Sequence, residues 1–314
     1  MRRFAINGYG KAEEVFEEIL AQPREVTAEH VRINLKAFSI NPYDVAVRLG
    51  KMKAERTLKF PYVLGNDGAG IITEVGEGVN YFHVGDRVAL HALGGTYGEE
   101  VVVPVKKIAK LPEKMNWAEA SAIVTPGITA YHLITHLLDI QPTDTVMILG
   151  ASGNVGRSLV QLLHEKGIHL LASASKRNEH SVRQLGVSHF SAYDEENPGE
   201  VFADQADIVI DATKGSRQGK VGIQIMKEGG RYIALNDLPE LSLRNEKNGF
   251  YEMYIPRKEY QDREAFDHLF SAYQQGHFAI KIAETLPATL ANVIVAHQKM
   301  EGHPPAGKIS LVFD

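Results

Sequence analysis

The chain has 314 residues, 44% hydrophobic and 23% charged, a composition that suits one large or two ordinary globular domains. Its net charge of −5 comes without a basic block, so neither nucleic acid nor an anionic membrane surface is an expected partner. There is no cysteine, which excludes disulfides, Cys-ligated zinc, iron–sulfur clusters and thiolate nucleophiles.

Arg2 and Arg3 are followed by no apolar signal core; with the lack of cysteine, this makes a cytoplasmic location the expectation. The first third is β-rich. Val31, Ile33, Leu35 and Ala37 alternate with Arg32, Asn34 and Lys36, the pattern of a half-buried strand. Short strands are expected at Ala69–Val75, Arg87–Ala92 and Glu99–Val103, with turn signals at Gly76-Glu77-Gly78, Gly85-Asp86 and Gly94-Gly95. Such spacing suggests a small barrel or sandwich. Ala120–Leu138 has no Asp, Glu, Lys or Arg and approaches the length of a membrane span. Thr125-Pro126-Gly127 interrupts it and His132, Thr135 and His136 sit inside it, so it reads as a loop leading into a buried helix.

The middle of the chain alternates strand and helix. Strands are expected at Thr145–Leu149, His169–Ser173, His189–Ala192, Ile208–Asp211, Arg231–Leu235 and Gly249–Tyr254, with helices at Val155–Lys166, Glu179–Leu185 and Gln218–Met226. This is the pattern of an α/β doubly wound parallel sheet. A last helix covers Asp262–Gln275, and the tail returns to β character where Ile309, Leu311 and Phe313 alternate. A nucleotide-binding domain over 120–276 is therefore expected as an insertion in a β-rich domain made of 1–119 and 277–314.

The most informative stretch is the apolar strand ending at Leu149, the turn Gly150-Ala151-Ser152-Gly153-Asn154-Val155-Gly156, and the amphipathic helix after it. A glycine triplet alone is weak; strand before and helix after give it the meaning of a dinucleotide-binding turn. The helix N-terminus offers unpaired N–H groups and partial positive charge to a pyrophosphate. Gly153 allows close backbone approach and Gly156 allows tight packing of helix on strand. Ser152 stands where a glycine is common.

An NAD ribose calls for an acid about 20 residues further on. That place reads Ala172-Ser173-Ala174-Ser175-Lys176-Arg177-Asn178, with no acid before Glu179. Ser175, Lys176 and Arg177 suit a 2′-phosphate through charge-assisted hydrogen bonds, so NADP(H) is expected. The plainer reading is a solvated helix start with Ser175 as its cap.

Together these residues resemble the medium-chain dehydrogenase/reductases, and within them the zinc-independent, zeta-crystallin-like quinone oxidoreductases. The resemblance runs through Ser39-Ile40-Asn41-Pro42-Tyr43-Asp44, Pro61–Gly70, Glu74–Val79, Gly85-Asp86-Arg87-Val88 and Gly94-Gly95-Thr96-Tyr97. It continues in Gly127-Ile128-Thr129-Ala130-Tyr131, the glycine turn, Tyr193, Lys227–Arg231 and Gly307-Lys308-Ile309. It implies a GroES-like barrel with an inserted Rossmann domain, the nicotinamide lying in the cleft between them. The zinc branch has Cys-x-x-Asp where this chain has Asn41-Pro42-Tyr43-Asp44, and Gly-His-Glu where it has Gly65-Asn66-Asp67. Neutral amides are poor zinc ligands, so no metal is expected. Without a Lewis acid, reduction of a quinone or related conjugated carbonyl by NADPH becomes the expected reaction.

The resemblance further implies site residues. Asn41 and Tyr43 are candidate donors to the developing oxyanion, and Asp44 reads equally as an acid and as a holder of the loop. Asn41 before Pro42 also suits a plain turn. Thr125 is expected near the nicotinamide ribose or phosphate, the backbone at Leu235 and Asn236 near the carboxamide, and Tyr193 near the adenosine end. Lys308 is expected to reach the cofactor from the returning tail, or else to be a surface lysine. His132 and His136 have the spacing of a metal pair but no third ligand, while His30, His83, His91, His180 and His303 lie apart. Glu99-Glu100 and Glu195-Glu196 read as solvated charge. Two alternatives stay open: an enoyl or alkenal double-bond reductase, and a non-catalytic NADPH-binding sensor or crystallin-like protein. The acceptor pocket would lie in loops such as Arg48–Phe60 and Pro239–Asn248. The apolar edge segment Phe250–Ile255 gives a homodimer as the expected assembly.

Overall fold

The computed structural model describes residues 1–257, 259–302 and 304–314, with the backbone alone at Ser216; His303 lies outside the described residues. The chain divides into two compact units, one of 1–125, 261–271 and 280–314, the other of 126–260 and 272–279.

The first unit is built on a seven-stranded sheet. Its path runs Ile282–Pro287, Lys308–Val312, His30–Ser39, Asp67–Val75, Arg87–His91 and Ile108–Lys110, with Glu100–Pro104 also paired to His30–Ser39. The alternation read at Val31–Ala37 is real: Val31, Ile33 and Leu35 are buried with Ile72, Val88 and Leu90. The register sets Ser310 opposite Ser39, Ser39 opposite Asp67 and Asp67 opposite His91. Directly opposed residues of antiparallel strands share a face, so these strands lay a polar row across the sheet.

β character alone did not anticipate two helices of this unit. Pro42–Arg48 follows Asn41, with Pro42 at the first helical position and Asp44 in the first turn, a recognised start signal. Leu290–Glu301 begins where the Thr289 hydroxyl accepts the Asn292 N–H at 3.3 Å. The uncharged stretch also begins as helix: Trp117–Ala122 starts at Asn116, whose side chain accepts the Glu119 N–H at 2.9 Å. It continues as Val124–His132 and a π-helical turn at Leu133–Leu137, with Pro126 tolerated in the first turn. Among the described residues, no helix is long and apolar enough to cross a membrane.

The second unit holds six parallel strands in the order His189–Ala192, His169–Ala174, Thr145–Leu149, Ala206–Asp211, Met226–Ala234 and Phe250–Met253. That is the doubly wound order, reversing direction beside Thr145–Leu149. The helix Asn154–Glu165 buries Leu159, Val160, Leu162 and Leu163, the apolar stripe of the sequence.

Candidate active site

In the second unit, the buried strand Thr145–Leu149 ends at Gly150, whose φ of +77° favours glycine. The Gly153 N–H closes the turn on the Gly150 carbonyl at 3.0 Å. A Cβ on Gly156 would lie 2.3 Å from that same oxygen, so only glycine lets the helix start this close to the strand. Gly153 caps the helix without a side chain, so the N–H groups of Asn154, Val155 and Gly156 have no acceptor within the helix. Ala151 is buried, Ser152 half-buried, and the buried Asn154 Oδ1 has no hydrogen-bond partner. An anion-ready backbone with no side chain in its way fits the pyrophosphate of a dinucleotide.

The strand His169–Ala174 leads to the expected 2′-phosphate residues. Ser175 is buried and its Oγ accepts from Asn178 Nδ2 at 2.9 Å. Lys176 is already engaged: Nζ meets Glu179 at 3.0 Å and Glu195 at 3.1 Å, and its N–H donates to Asp194 at 2.7 Å. These acids correct the reading of Glu195 as merely solvated; Glu99 and Glu100 likewise pair with Arg2 and Arg32. Arg177 is exposed, with no ion pair among the described residues. Tyr193, 49% exposed, donates its N–H to the Ala174 carbonyl. At the ends of neighbouring strands, the Leu235 N–H meets the Asp211 carbonyl and Asn236 Nδ2 meets the Thr213 carbonyl at 2.8 Å. Sequence reading missed Arg157. Its Nε is buried without a partner, and its Nη1 reaches the Ser181 carbonyl at 3.4 Å and the Ser181 hydroxyl at 3.5 Å; burial lowers its pKa.

In the first unit, three expected residues converge on one that had served only as a motif letter, Asp67. Asp67 is fully buried in the polar row of the sheet. Thr125 Oγ1 donates to its Oδ1 at 2.5 Å, and Asn41 Nδ2 to its Oδ2 at 2.8 Å. Ser39 Oγ and the Thr125 N–H add longer bonds at 3.3 Å. Lys308 is only 1% exposed, which corrects the surface-lysine reading. Its Nζ donates to Asn41 Oδ1 at 2.6 Å, and to Asp67 Oδ2 and the Ile40 carbonyl at 3.2 Å. An ammonium only donates and a carboxylate only accepts, so the two neighbours fix which way the Asn41 amide faces. Asp44 is buried beside them, its Oδ2 accepting the Asn41 N–H at 2.8 Å. Burial pushes the Asp44 carboxyl up to about 7; the Asn41 bond opposes this and the charge of Asp67 adds to it. Tyr43 is 37% exposed.

Asn41, which stands where the zinc branch has a cysteine, and Asp67 both contact an ammonium. Among the described residues, no group of three or more His, Asp or Glu side chains could hold a metal ion. His136 stacks on Tyr260 with ring centroids 4.8 Å apart, and His132 packs against the same ring at 5.2 Å. His91, read as isolated, hydrogen-bonds Asp262 at 2.9 Å.

Two family profiles match the chain: the alcohol dehydrogenase GroES-like domain over residues 27–113 and the zinc-binding dehydrogenase over residues 185–311. The chain belongs to the medium-chain dehydrogenase/reductase superfamily. It is similar to polyketide synthase GfsB of Streptomyces halstedii, 28% identical over 254 residues that make up 78% of this chain. It is also similar to the chloroplast envelope quinone oxidoreductase homolog of Arabidopsis thaliana, 30% identical over 201 residues and 62% of this chain. It spans 4% of the length of the first and 61% of the second. Among solved structures, the quinone oxidoreductase from Coxiella burnetii superposes with a TM-score of 0.86 at 25% identity, covering 99% of both chains. The Escherichia coli quinone oxidoreductase complexed with NADPH gives 0.87 at 22% identity, covering 99% of this chain and 100% of that one. CurK enoyl reductase gives 0.88 at 21% identity, covering 100% and 99%.

Proposed function

We propose that the protein is an NADPH-dependent oxidoreductase that works without zinc and reduces a quinone or related conjugated carbonyl. The observation that carries this reading is Lys308, an ammonium buried against Asp67 and against Asn41, which stands where the zinc branch has a cysteine. Amide and carboxylate oxygens already satisfied by a cation of the chain itself are a poor pair of metal ligands. The Arabidopsis relative and the Coxiella neighbour, both named as quinone oxidoreductases, support the same class of acceptor.

When bound, NADPH supplies the hydride. The N–H groups of Asn154, Val155 and Gly156 hold its pyrophosphate, with Gly150, Ala151, Ser152 and Gly153 shaping the turn. Ser175 and Arg177 take the 2′-phosphate, and Lys176 joins them only by giving up exposed ion pairs, which cost little to exchange. Tyr193 packs at the adenosine end, Leu235 and Asn236 meet the carboxamide, and Thr125 meets the nicotinamide side. Lys308 and Asn41 place positive charge and amide dipole near the developing oxyanion, and Tyr43 offers its hydroxyl. Hydride alone converts a quinone to a hydroquinone monoanion, and one proton completes the hydroquinone.

The test is a screen of quinones and enones with NADPH and with NADH, followed by absorbance of the reduced nicotinamide, with and without a chelator. Chelator-insensitive NADPH oxidation is expected. Loss of activity on chelation, or no oxidation with any acceptor, overturns the reading. The likeness to CurK enoyl reductase supports a second reading, alkene reduction; a saturated ketone as product would select it. The proposal includes a cytoplasmic homodimer paired through the sheet edge Phe250–Met253, where Phe250 is exposed. Equilibrium sedimentation of a monomer removes that part.

A further inference from the structure

Arg157 follows Gly156 directly on the helix Asn154–Glu165 of the second unit and has no role in the reading so far. It is half-buried, and its Nε is buried without a hydrogen bond. Its two hydrogen bonds, from Nη1 to the carbonyl and hydroxyl of Ser181, are long and go to neutral oxygens. Its neighbours among the cations are placed differently. Lys176 is held between Glu179 and Glu195, and Arg183 donates to Glu179 at 2.8 Å. Arg157 has no ion pair among the described residues, and burial lowers its pKa with no carboxylate opposing it.

A guanidinium withdrawn from water without an anion is costly. It carries five N–H donors, and two long bonds to one serine leave most of them unused. Its planar fork matches phosphate oxygens. Hydrogen bonds within the second unit show which phosphate lies in reach. Ser181 Oγ donates to the Asn178 carbonyl at 3.0 Å, and Asn178 Nδ2 donates to Ser175 Oγ at 2.9 Å. Arg157 is thus tied through Ser181 and Asn178 to the turn that ends the strand His169–Ala174, where the 2′-phosphate is expected. Asn154 Oδ1, three residues earlier and so on the same side of the helix, is the complementary case, a buried acceptor without a donor. A phosphorylated ribose offers both kinds of partner, phosphate oxygens that accept and a hydroxyl that donates.

We propose that Arg157 determines cofactor specificity: its guanidinium binds the 2′-phosphate of NADPH together with Ser175 and Arg177. This rests on the proposed use of NADPH and adds to it a cation from the dinucleotide helix itself. The long bonds to Ser181 are weak and cost little to exchange for charge-assisted ones. Lys176, already satisfied by two carboxylates, contributes less than Arg157.

The test compares two probes that differ only in the 2′-phosphate, adenosine 2′,5′-bisphosphate and adenosine 5′-monophosphate, by calorimetric titration of the full chain. Wild type should bind the bisphosphate at least about tenfold more tightly. Arg157→Met should reduce that preference by about tenfold while binding of the monophosphate stays within twofold. Arg157→Gln, which can still donate to Ser181 but carries no charge, should show the same loss, and Arg157→Lys should restore part of it. Equal weakening of both probes shows that Arg157 braces the helix and overturns the proposal, as does a preference unchanged in the Met and Gln variants. A wild type that does not distinguish the probes removes the NADPH reading itself, whereas a wild type that does, with variants that keep its preference, removes only the role of Arg157.

Discussion

Lys308→Met replaces a buried ammonium with an apolar side chain of similar length. Three acceptors lose a donor: Asn41 Oδ1, Asp67 Oδ2 and the Ile40 carbonyl. Removing one partner of a buried ion pair costs about 3–5 kcal/mol because a charge stays behind unpaired. Asp67 keeps Thr125, Asn41 and Ser39 as donors, so the low end applies, about 3 kcal/mol. At roughly 2–4 °C per kcal/mol for a domain of this size, thermal unfolding should drop by about 6–12 °C. The same substitution frees the Asn41 amide to turn and removes the positive charge beside it. Turnover should fall by about 100-fold, the scale of one lost donor to a developing oxyanion. NADPH binding, followed by the fluorescence of the reduced nicotinamide, should change less than threefold, on the order of the 0.6 kcal/mol expected when no cofactor contact is lost. A variant as stable as wild type shows that Lys308 does not hold the cluster together. One that is destabilised but turns over normally shows that the cluster is structural and takes no part in the reaction.

Gly156→Ala places a Cβ 2.3 Å from the Gly150 oxygen, so the helix must shift and NADPH and NADH should both weaken by at least about tenfold; calorimetric titration with either cofactor measures it, and unchanged binding refutes the assignment of the turn. Arg177→Ala should weaken NADPH about tenfold or more while leaving NADH within twofold, since a charge-assisted bond to phosphate is lost; equal effects on the two sink the 2′-phosphate assignment. His297 is held well below its ordinary pKa, so the unfolded chain takes up a proton that the folded one refuses. Its contribution is complete above about pH 6.5 and is lost as pH falls toward 3. Denaturant midpoints measured down that range should fall less steeply in His297→Gln, and identical slopes refute the shift.

The two units differ in how far their chemistry could be read from the chain. The dinucleotide turn is local: Gly150, Gly153, Gly156 and the flanking strand and helix lie within a few residues of one another, so spacing alone carries the geometry. The Ser175–Arg177 turn is local too, but its neighbours are not. Asp194 and Glu195 follow the next strand, and they reach Lys176 only because parallel strands bring successive loops to the same edge. The cluster around Asp67 is wholly non-local. Its members come from three strands and the ends of two helices, and what joins them is register, which places Ser39, Asp67 and Ser310 in one row. Periodicity assigns a residue to a face but gives no information on which strand lies alongside, so the family motif pointed to Asn41, Asp44 and Lys308 but left open whether Lys308 reaches the site or lies at the surface. That ambiguity has one physical source. A lysine at the start of a terminal strand is solvated unless a carboxylate stands two strands away on the same face, and in this fold Asp67 does. The long helix Leu290–Glu301 hid its role for the same reason: His297 looks like a polar interruption of an apolar stripe until Arg48 and Tyr97 close on its two nitrogens. Where the chain buries a polar residue without a local partner, its distant partner is therefore the first thing to seek, as Asp67 is for Lys308 and as Arg48 and Tyr97 are for His297.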